Sequence, residues 1–530
     1  MSRIKRNCLL ICMVIICFGI VFSLTKLRDF KTKEEVHYEI YDRLALGADP
    51  KTGMESITTN DFEIDESFES HLPIVVIECD DEIPNAYHYD TQAERFVLRD
   101  GVEPYVSGQI SVINNDNCIN RLSDSPEISS NMRIKYRGNS SLVYAKHQYR
   151  INLTDEEGNA SEEDMLGMGK ETDWILNISM IDSTLIRNYM VYSICHNMSD
   201  YTPDVRFCEV VLKNEAGFQY EGVYLLMEVV EQGKDRVDIK EYSGKKDYSS
   251  YLVRRDRYDE EGLMLDTYAT KNELCYGYLD LRYPKSDKLN DKIVNYITDD
   301  LSQIEKVIFS DKEREFLKYP SYIDEDSFVD YFLINEFFAN YDAGNNSTFM
   351  YKDVRGKLSI GPVWDYDNIA DNMGEYLLDP SVISFHGQPW FNKLVQSESF
   401  CKKLEKRYAQ LRKQYFSDEY INTFIDDTTK YLGNAQKRDW SRWSEYYTSD
   451  RFKLIEDSDG IVIDRNYNDY ENIVQRLKDV LNTHGEYIPA ELERITLECR
   501  YKDAYRTHAG YAILFLILFF SSIIIGRRKI

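Results

Sequence analysis

The first half of the chain is organised in short apolar runs of the kind that form β-strands. Residues 72–78 are rich in β-branched side chains and predict a buried strand. Shorter runs predict further strands at 108–114, 132–136 and 149–153. Residues 205–212 and 221–229 flank an Asn-Glu-Ala-Gly turn, which predicts a hairpin.

Helical spacing of apolar residues dominates the second half. One helix is predicted earlier, at 182–197, and between 291 and 340 apolar residues recur at three- and four-residue steps. A short hairpin is predicted at 348–352 and 358–363, and residues 375–501 are again mainly helical. Strands followed by helices around one small hairpin predict an α+β fold with two lobes.

Each end of the chain carries an apolar segment next to basic residues. Residues 8–24 follow Arg3, Lys5 and Arg6, and residues 509–526 precede a basic C-terminal stop. Both are about long enough to span a bilayer, so we expect one transmembrane helix at each end. The positive-inside rule then predicts a two-pass membrane protein with cytoplasmic termini and an extracytoplasmic domain. A cleaved signal peptide is the alternative for the first segment.

These patterns give a predicted domain organisation. The expected units are an N-terminal anchor at 1–25, an acidic stalk at 26–70, a core at 71–370, a helical part at 371–505 and a C-terminal transmembrane helix at 509–526.

Composition narrows the function. The chain has 64 Lys and Arg against 91 Asp and Glu, a net charge of −27, which argues against a nucleic-acid partner. Ten cysteines occur without any CxxC pair, so a zinc ribbon is excluded. Walker, HExxH and GxSxG motifs are missing from the sequence.

One pattern of polar residues points to chemistry. Asp342 ends a helix, Asn346 follows four residues later, and Asp365 and Asp367 come just after the predicted hairpin. Phosphoryl transfer needs a carboxylate for the attacking hydroxyl, together with amide and carboxylate oxygens for divalent cations. Asp, Asn and Gly are also frequent in turns for backbone reasons, so the pattern by itself leaves both interpretations open.

Two further segments fit nucleotide binding. Arg137-Gly138-Asn139-Ser140-Ser141 is a small-residue loop before a strand, with Lys146 behind it, and such loops bring N–H groups and cations to phosphates. The strand at 220–230 runs into a less regular stretch, as a kinase strand runs into its hinge. A plain β-turn and an ordinary edge strand are the alternatives.

Together these segments resemble the CotH (spore coat protein H) kinase family over about residues 72–501. Six motifs occur in the family's order: Arg137–Ser141 with Lys146 and 149–151; 173–176; 185–188; 220–228 with 236–237; 335–336 with 340–342; and 361–367. The resemblance implies an atypical bilobal protein-kinase-like fold. It also implies transfer of the ATP γ-phosphate, with Mg²⁺ or Mn²⁺, to Ser or Thr of envelope or spore-coat proteins.

The resemblance also implies roles for single residues. Asp342 is the expected catalytic aspartate and Asp365 the metal-binding one. Asn346 is the expected second metal ligand, Asn345 competes with it, and Asp367 either supports the metal or caps the loop.

On the nucleotide side, Lys146 is expected to meet the ATP phosphates, with Arg150 as second choice and Glu228 beside the hinge. Arg137, Asn139 and Ser140 belong to the expected nucleotide-binding loop. An acidic partner for Lys146 is not identified in the sequence.

Two other functions fit part of the pattern. A kinase-like scaffold for envelope or coat assembly would bind partners without catalysis. A glycosidase would use paired carboxylates and aromatic residues. The complete set of Asp342, Asn346 and Asp365 favours the kinase over the scaffold.

Overall fold

The computed structural model describes most of the chain between residues 37 and 502. The described residues are 37–53, 62–91, 95–178, 180–257, 262–372, 378–449, 454–456, 462–465 and 467–502. Over these ranges the protein is α+β.

The secondary-structure elements are numbered in chain order. The α-helices of the described part are α1 Glu39–Ala45, α2 Arg187–Cys195, α3 Tyr268–Lys271, α4 Asp291–Ile308, α5 Glu313–Phe316, α6 Glu325–Phe337, α7 Phe391–Leu394, α8 Glu398–Leu411, α9 Asp418–Tyr447 and α10 Tyr470–Glu498. The strands there are β1 Glu63–Ile64, β2 Glu69–Ser70, β3 Ile74–Cys79, β4 Tyr87–Asp90, β5 Arg95–Leu98, β6 Val106–Ile113, β7 Asn120–Arg121, β8 Ile128–Tyr136, β9 Tyr149–Thr154, β10 Glu163–Asp164, β11 Lys170–Glu171, β12 Asp173–Asn177, β13 Val205–Asn214, β14 Gly217–Glu228, β15 Tyr251–Asp256, β16 Met264–Leu265, β17 Tyr278–Tyr283, β18 Thr348–Lys352, β19 Leu358–Ile360, β20 Leu454–Glu456 and β21 Val462–Asp464.

The larger sheet closes on itself. Its order is β1-β14-β12-β9-β8-β6-β3-β13, and β13 pairs β14 as well, so all of its strands except β1 form a ring. Neighbours in the ring are antiparallel apart from β3 and β13, which are parallel. Its fully buried residues include Val75, Ile110, Ile134, Ile151 and Leu176. Alternate residues of each strand meet there, as a period of two requires.

A bulge in the ring lets a distant helix approach the backbone. The register of β13 and β14 shifts between Val210 and Val211, opposite Gly222, whose φ is +116°. A Cβ on Gly222 would lie 2.4 Å from the Asp439 carboxylate of α9. Glycine is therefore required here both for the positive φ and for the close contact.

The smaller sheet carries the hairpin and sits beside α6. Its order is β16-β17-β15-β18-β19, with antiparallel neighbours throughout. From Phe328 to Phe337, α6 is buried on every side, so it is a core helix rather than a surface one. The loops that follow α6 and β19 are adjacent because the Asn340 amide donates to the Asp365 carbonyl at 3.4 Å.

Most of the predicted elements are confirmed, with shifted ends. The strand predicted at 72–78 is β3, the predicted hairpin at 205–229 is β13 and β14, and the second hairpin is β18 and β19. The helix predicted at 182–197 is shorter and spans Arg187–Cys195, and the Asp182 carboxylate before it accepts the Arg187 N–H at 2.8 Å.

Parts of the predicted stalk pack on the folded body. Tyr38 and Ile40 of the first described segment are buried in the main hydrophobic core. β1 adds to the edge of the ring by pairing with β14. These residues of the 26–70 segment therefore belong to the compact structure.

The predicted membrane topology is corrected. No helix among the residues that the structure describes is long and apolar enough to cross a membrane. The longest, α9 and α10, have 30 and 29 residues, and α9 is kinked at Gly433. Both are amphipathic, with charged residues along one face. A fold class flanked by two transmembrane helices and a two-pass localisation are therefore not supported. The segments 8–24 and 509–526, on which they rested, lie outside the described residues.

Candidate active site

A tight loop after α6 holds the first acidic residue. The Asp342 carbonyl accepts the N–H groups of Asn345 (3.2 Å) and Asn346 (2.9 Å), which folds the loop back on itself. The Gly344 N–H donates to the Thr348 hydroxyl at 2.7 Å, which ties the loop to the start of β18. Asp342 is half-buried at the turn.

The segment after β19 holds the second acidic residue in a strained conformation. Asp365 has a φ of +68°, in the left-handed region that costs about 1 kcal/mol or more for a residue with a Cβ. Its N–H donates to the Tyr192 hydroxyl at 3.1 Å. The Ser347 hydroxyl donates to its carboxylate at 3.1 Å. Contacts from α2 and from the neighbouring loop therefore fix the direction of this carboxylate.

Asp342, Asp365 and Asp367 form an acidic cluster. Partial desolvation by the surrounding protein raises the pKa of Asp365, and the nearby Asp342 carboxylate raises it further. Burial likewise raises the pKa of Asp367 well above its usual range, with Asp365 as the next cause. The Asp365 side chain is exposed, so solvent screens the effect of these neighbours on it.

The cluster suits a divalent cation that arrives with a nucleotide. Within the described ranges, no group of three or more His, Cys, Asp or Glu side chains is arranged to hold a metal ion alone. Mg²⁺ does not need such a cage, because it is commonly held by one or two carboxylates together with phosphates and water. The donors present are all hard oxygens, so the chemistry of the site fits Mg²⁺ or Mn²⁺.

The two neighbouring asparagines differ in their contacts. The Asn345 amide donates to the Gln388 side chain at 2.5 Å. Asn346 Oδ1 is buried and accepts no hydrogen bond from any residue that the structure describes. A buried oxygen without a donor costs free energy unless a ligand satisfies it, so Asn346 is the better candidate for a metal contact.

Substitution of the two asparagines should separate them. We expect Asn346→Ala to weaken binding of Mn²⁺·ATP by about tenfold or more, because one oxygen ligand is lost. Asn345→Ala is the matched control and should weaken it by less than about threefold, since its contact is to Gln388. Calorimetric titration measures both, and equal losses would refute the assignment.

Arg137, which directly follows β8, lies beside the acidic cluster, and Arg150 of β9 lies near Arg137. The Arg137 guanidinium packs over the Trp364 ring at 5.8 Å and donates to the Gln148 side chain at 2.6 Å. Burial, and then Arg150, lower the pKa of Arg137 to about 10, while Asp365 opposes the shift. Arg150 itself donates to Asp173 at 2.6 Å. The positive charge of Arg137 therefore lies beside Asp365, where it can pair with phosphate groups.

Other residues of the expected nucleotide-binding loop already contact the protein. Asn139 Oδ1 accepts the Phe96 N–H at 3.1 Å, which joins the loop to β5. Gly138 has a φ of +117°, and a Cβ there would collide with the Ser141 hydroxyl. The side chain of Ser140 lies outside the described part of the structure.

Lys146 is placed away from the arginines, in a buried ion pair. Its ammonium donates to Asp439 at 2.5 Å and to the Val223 carbonyl at 2.9 Å. Both side chains of the pair are 0% exposed. Asp439 is thus the acidic partner that sequence reasoning did not find, and 293 positions separate the two residues. A phosphate contact for Lys146 stays a prediction.

Glu228 ends β14 in a buried polar cluster. It pairs with Arg236 and accepts the Asp204 N–H at 2.9 Å and the Tyr201 hydroxyl at 3.0 Å. Burial raises the pKa of Glu228 to about 7, and Arg236 limits the rise. Glu228 therefore holds the start of the 229–233 segment in place.

Sequence reasoning also missed two charged residues of β15. Asp256 lies near enough to Asp365 to raise its pKa further, and Arg254 lies near enough to Arg137 to lower its pKa. Arg254 and Asp256 contact each other at 3.4 Å. Their signal in the sequence was an Arg-Arg-Asp run at the end of a strand, which usually marks a solvated edge.

The raised pKa values predict how cation binding depends on pH. In the ligand-free protein the folded state holds protons on Asp365 and Asp367 above the unfolded pKa of about 3.8, so ionising them on raising the pH lowers stability. A cation needs the ionised forms. The affinity for Mn²⁺·ATP should therefore fall as the pH is lowered toward the unfolded pKa.

The pH dependence is measured by calorimetric titration at a series of pH values. Asp365→Asn serves as the comparison, because it removes one of the two raised groups and should flatten the curve. An affinity that is independent of pH in the unmodified protein would contradict this account.

Hard oxygen donors on two adjoining loops, with Arg137 beside Asp365, are groups of the kind that phosphoryl transfer uses. The family model described as CotH kinase protein matches residues 134–488, and the chain therefore belongs to the CotH kinase family. A search of curated proteins finds no match. Family membership indicates an atypical kinase-like function, with ATP, a divalent metal and a protein substrate as its general requirements.

Proposed function

We propose that this chain is an atypical protein kinase that transfers the ATP γ-phosphate to Ser or Thr of a protein. The observation that carries the proposal is the acidic cluster of Asp342, Asp365 and Asp367 on two adjoining loops, with Arg137 beside Asp365. The family resemblance favours acceptors among envelope or spore-coat proteins.

Asp342 is assigned the acceptor side of the reaction. As a half-buried carboxylate in a tight loop, it accepts the hydrogen bond of the attacking hydroxyl and orients that oxygen toward phosphorus. Asp365 and Asn346 are assigned to the divalent cation, and Asp367 supports them. When bound, the cation neutralises charge on the β- and γ-phosphates.

Arg137 and Arg150 are assigned the nucleotide phosphates. Arg137 is held in direction by its stack on Trp364 and its bond to Gln148, so little side-chain entropy is lost when it meets a phosphate. Glu228 is assigned to the segment beside the adenine. Asn139 is assigned a structural role in the loop, since its side-chain oxygen already accepts the Phe96 N–H.

The test is phosphate transfer by the full chain. We expect labelled phosphate to pass from ATP, with Mn²⁺ or Mg²⁺, to a Ser-rich acceptor protein or to the chain itself. Asp342→Asn keeps the shape of the loop but removes the carboxylate, and should reduce the rate about 100-fold or more. Asp81→Asn, the same change at an exposed position, is the control and should leave the rate within about threefold.

The outcome decides between two functions. If the unmodified chain transfers no phosphate and ATP with Mn²⁺ does not raise its melting temperature, the kinase proposal fails and a binding scaffold replaces it. If ATP with Mn²⁺ stabilises the protein but transfer is missing with every acceptor, nucleotide binding stands and catalysis fails.

A further inference from the structure

A row of buried amide side chains leads away from Arg137 toward the acidic cluster. Arg137 donates to Gln148 Oε1 at 2.6 Å, and the same oxygen accepts from the Asn177 amide at 3.2 Å. The Asn188 amide in turn donates to Asn177 Oδ1 at 3.4 Å. We call Gln148, Asn177 and Asn188 the amide chain.

The amide chain ends on the loop that carries Asp365. The Tyr366 N–H donates to Asn188 Oδ1 at 2.7 Å, and the Tyr366 hydroxyl donates to Asn335 Oδ1 of α6 at 2.7 Å. Tyr192, one turn after Asn188 on α2, accepts the Asp365 N–H. Both peptide N–H groups at this strained point are thus held by α2.

The amide chain is buried: Gln148 is 8% exposed, Asn177 8% and Asn188 3%. Amides at such depth are expensive to desolvate, and their hydrogen bonds return only about 1 kcal/mol each. Apolar side chains would pack there at lower cost but without direction. Hydrogen bonds fix angles and distances, so the amide chain sets geometry more than it adds stability.

The elements that the chain joins belong to different parts of the fold. Gln148 directly precedes β9, and Asn177 is the last residue of β12 in the ring sheet. Asn188 lies on α2, and Tyr366 follows the smaller sheet. The amide chain therefore spans from the phosphate-facing side of the site to the cation-facing side, through groups that touch neither ligand.

We propose that Asn188 is a positioning residue that sets Asp365 against Arg137, so that one nucleotide meets the cation site and the arginine together. This inference rests on the proposed kinase function. Removal of Asn188 should let the 361–367 loop relax from its left-handed conformation, which moves Asp365 without removing any group that touches a ligand.

The test compares Asn188→Leu with the unmodified full chain. We expect a loss of about 10- to 100-fold in kcat or in Mn²⁺·ATP affinity. Residues that hold metal ligands in place have effects of this size when they are replaced. Hydrogen–deuterium exchange at the Tyr366 amide should become faster, since its acceptor is lost. Asn177→Leu should lower kcat or Mn²⁺·ATP affinity in the same direction. The fold-loss of the double variant should be smaller than the product of the two single fold-losses, because both residues act through one chain of hydrogen bonds.

Asn197→Leu is the matched control. Asn197 is equally buried and donates to the Tyr38 hydroxyl, away from the amide chain. It should lower the melting temperature to a similar degree while leaving kcat and Tyr366 exchange unchanged.

Two results would overturn the inference. One is an Asn188→Leu variant that matches Asn197→Leu in kcat, Mn²⁺·ATP affinity and exchange. The other is an unmodified chain that neither binds Mn²⁺·ATP nor transfers phosphate, which refutes the proposed function first and the role of Asn188 with it.

Discussion

Replacement of Asp365 by asparagine is expected to lower phosphate transfer about 1000-fold, which corresponds to several kcal/mol of lost stabilisation of the transition state. The amide keeps the size of the side chain and its contact with Ser347, but it loses the charge that a divalent cation requires. Transfer is measured with labelled ATP and either Mn²⁺ or Mg²⁺.

The same substitution should not destabilise the fold. Partial desolvation and the Asp342 carboxylate both disfavour the ionised form of Asp365, so a neutral side chain relieves repulsion in the ligand-free protein. The melting temperature should stay the same or rise, a trade of stability for function.

Asp81, an exposed aspartate just after β3, provides the matched control for this loss. Asp81→Asn should leave transfer unchanged. A fully active Asp365→Asn variant would refute the assignment of Asp365 as a cation ligand.

Replacement of Lys146 by methionine is expected to lower the free energy of unfolding by about 3–5 kcal/mol. The change leaves the Asp439 carboxylate charged, buried and without its cation. It also leaves the Val223 carbonyl without a donor. Urea denaturation of the full chain measures the loss.

A double variant distinguishes stability from nucleotide binding. Lys146→Met with Asp439→Asn removes both charges. The amide oxygen keeps an acceptor for the Val223 N–H, and the amide NH2 then faces the Tyr447 hydroxyl, which becomes the acceptor in that contact. We expect it to recover most of the lost stability together with Mn²⁺·ATP affinity. Recovered stability without recovered affinity would instead support the predicted phosphate contact of Lys146.

A surface pair calibrates the size of this effect. Lys213 and Glu78 lie 2.8 Å apart but are 42% and 48% exposed. Lys213→Met should cost less than about 1 kcal/mol, because water already screens the pair. A similar cost for Lys146→Met would show that the buried pair adds little.

The acidic half of the candidate site could be predicted because it is local in sequence. Asp342, Asn346 and Asp365 sit on two loops joined by one hairpin, and a hairpin brings its flanking residues together wherever it lies in a fold. The choice between Asn345 and Asn346 was not local. It depends on Gln388, which accepts a hydrogen bond from the Asn345 NH2, and on the packing that buries Asn346 Oδ1 without a donor among the described residues.

The basic half could not be assigned in the same way. Lys146 and Arg137 both lie in the loop before strand β9, so the sequence does not distinguish their roles. Closure of the ring and the approach of α9 at Gly222 bury the first with Asp439, while the second turns toward Trp364. The membrane prediction rested on the two terminal apolar segments and their flanking basic residues, and it is not supported by the helices that the structure describes.

The sequence by itself determined the α+β composition, the order of strands and helices, the family and the acidic loops, since each depends on short-range periodicity or on motifs a few residues long. The tertiary structure decided which cation faces the acidic cluster, which asparagine has a free oxygen and how the amide chain joins the two halves. Those features depend on contacts between residues as far apart as 293 positions, such as Lys146 and Asp439. Such contacts arise only when packing excludes water and every buried polar group must find a partner.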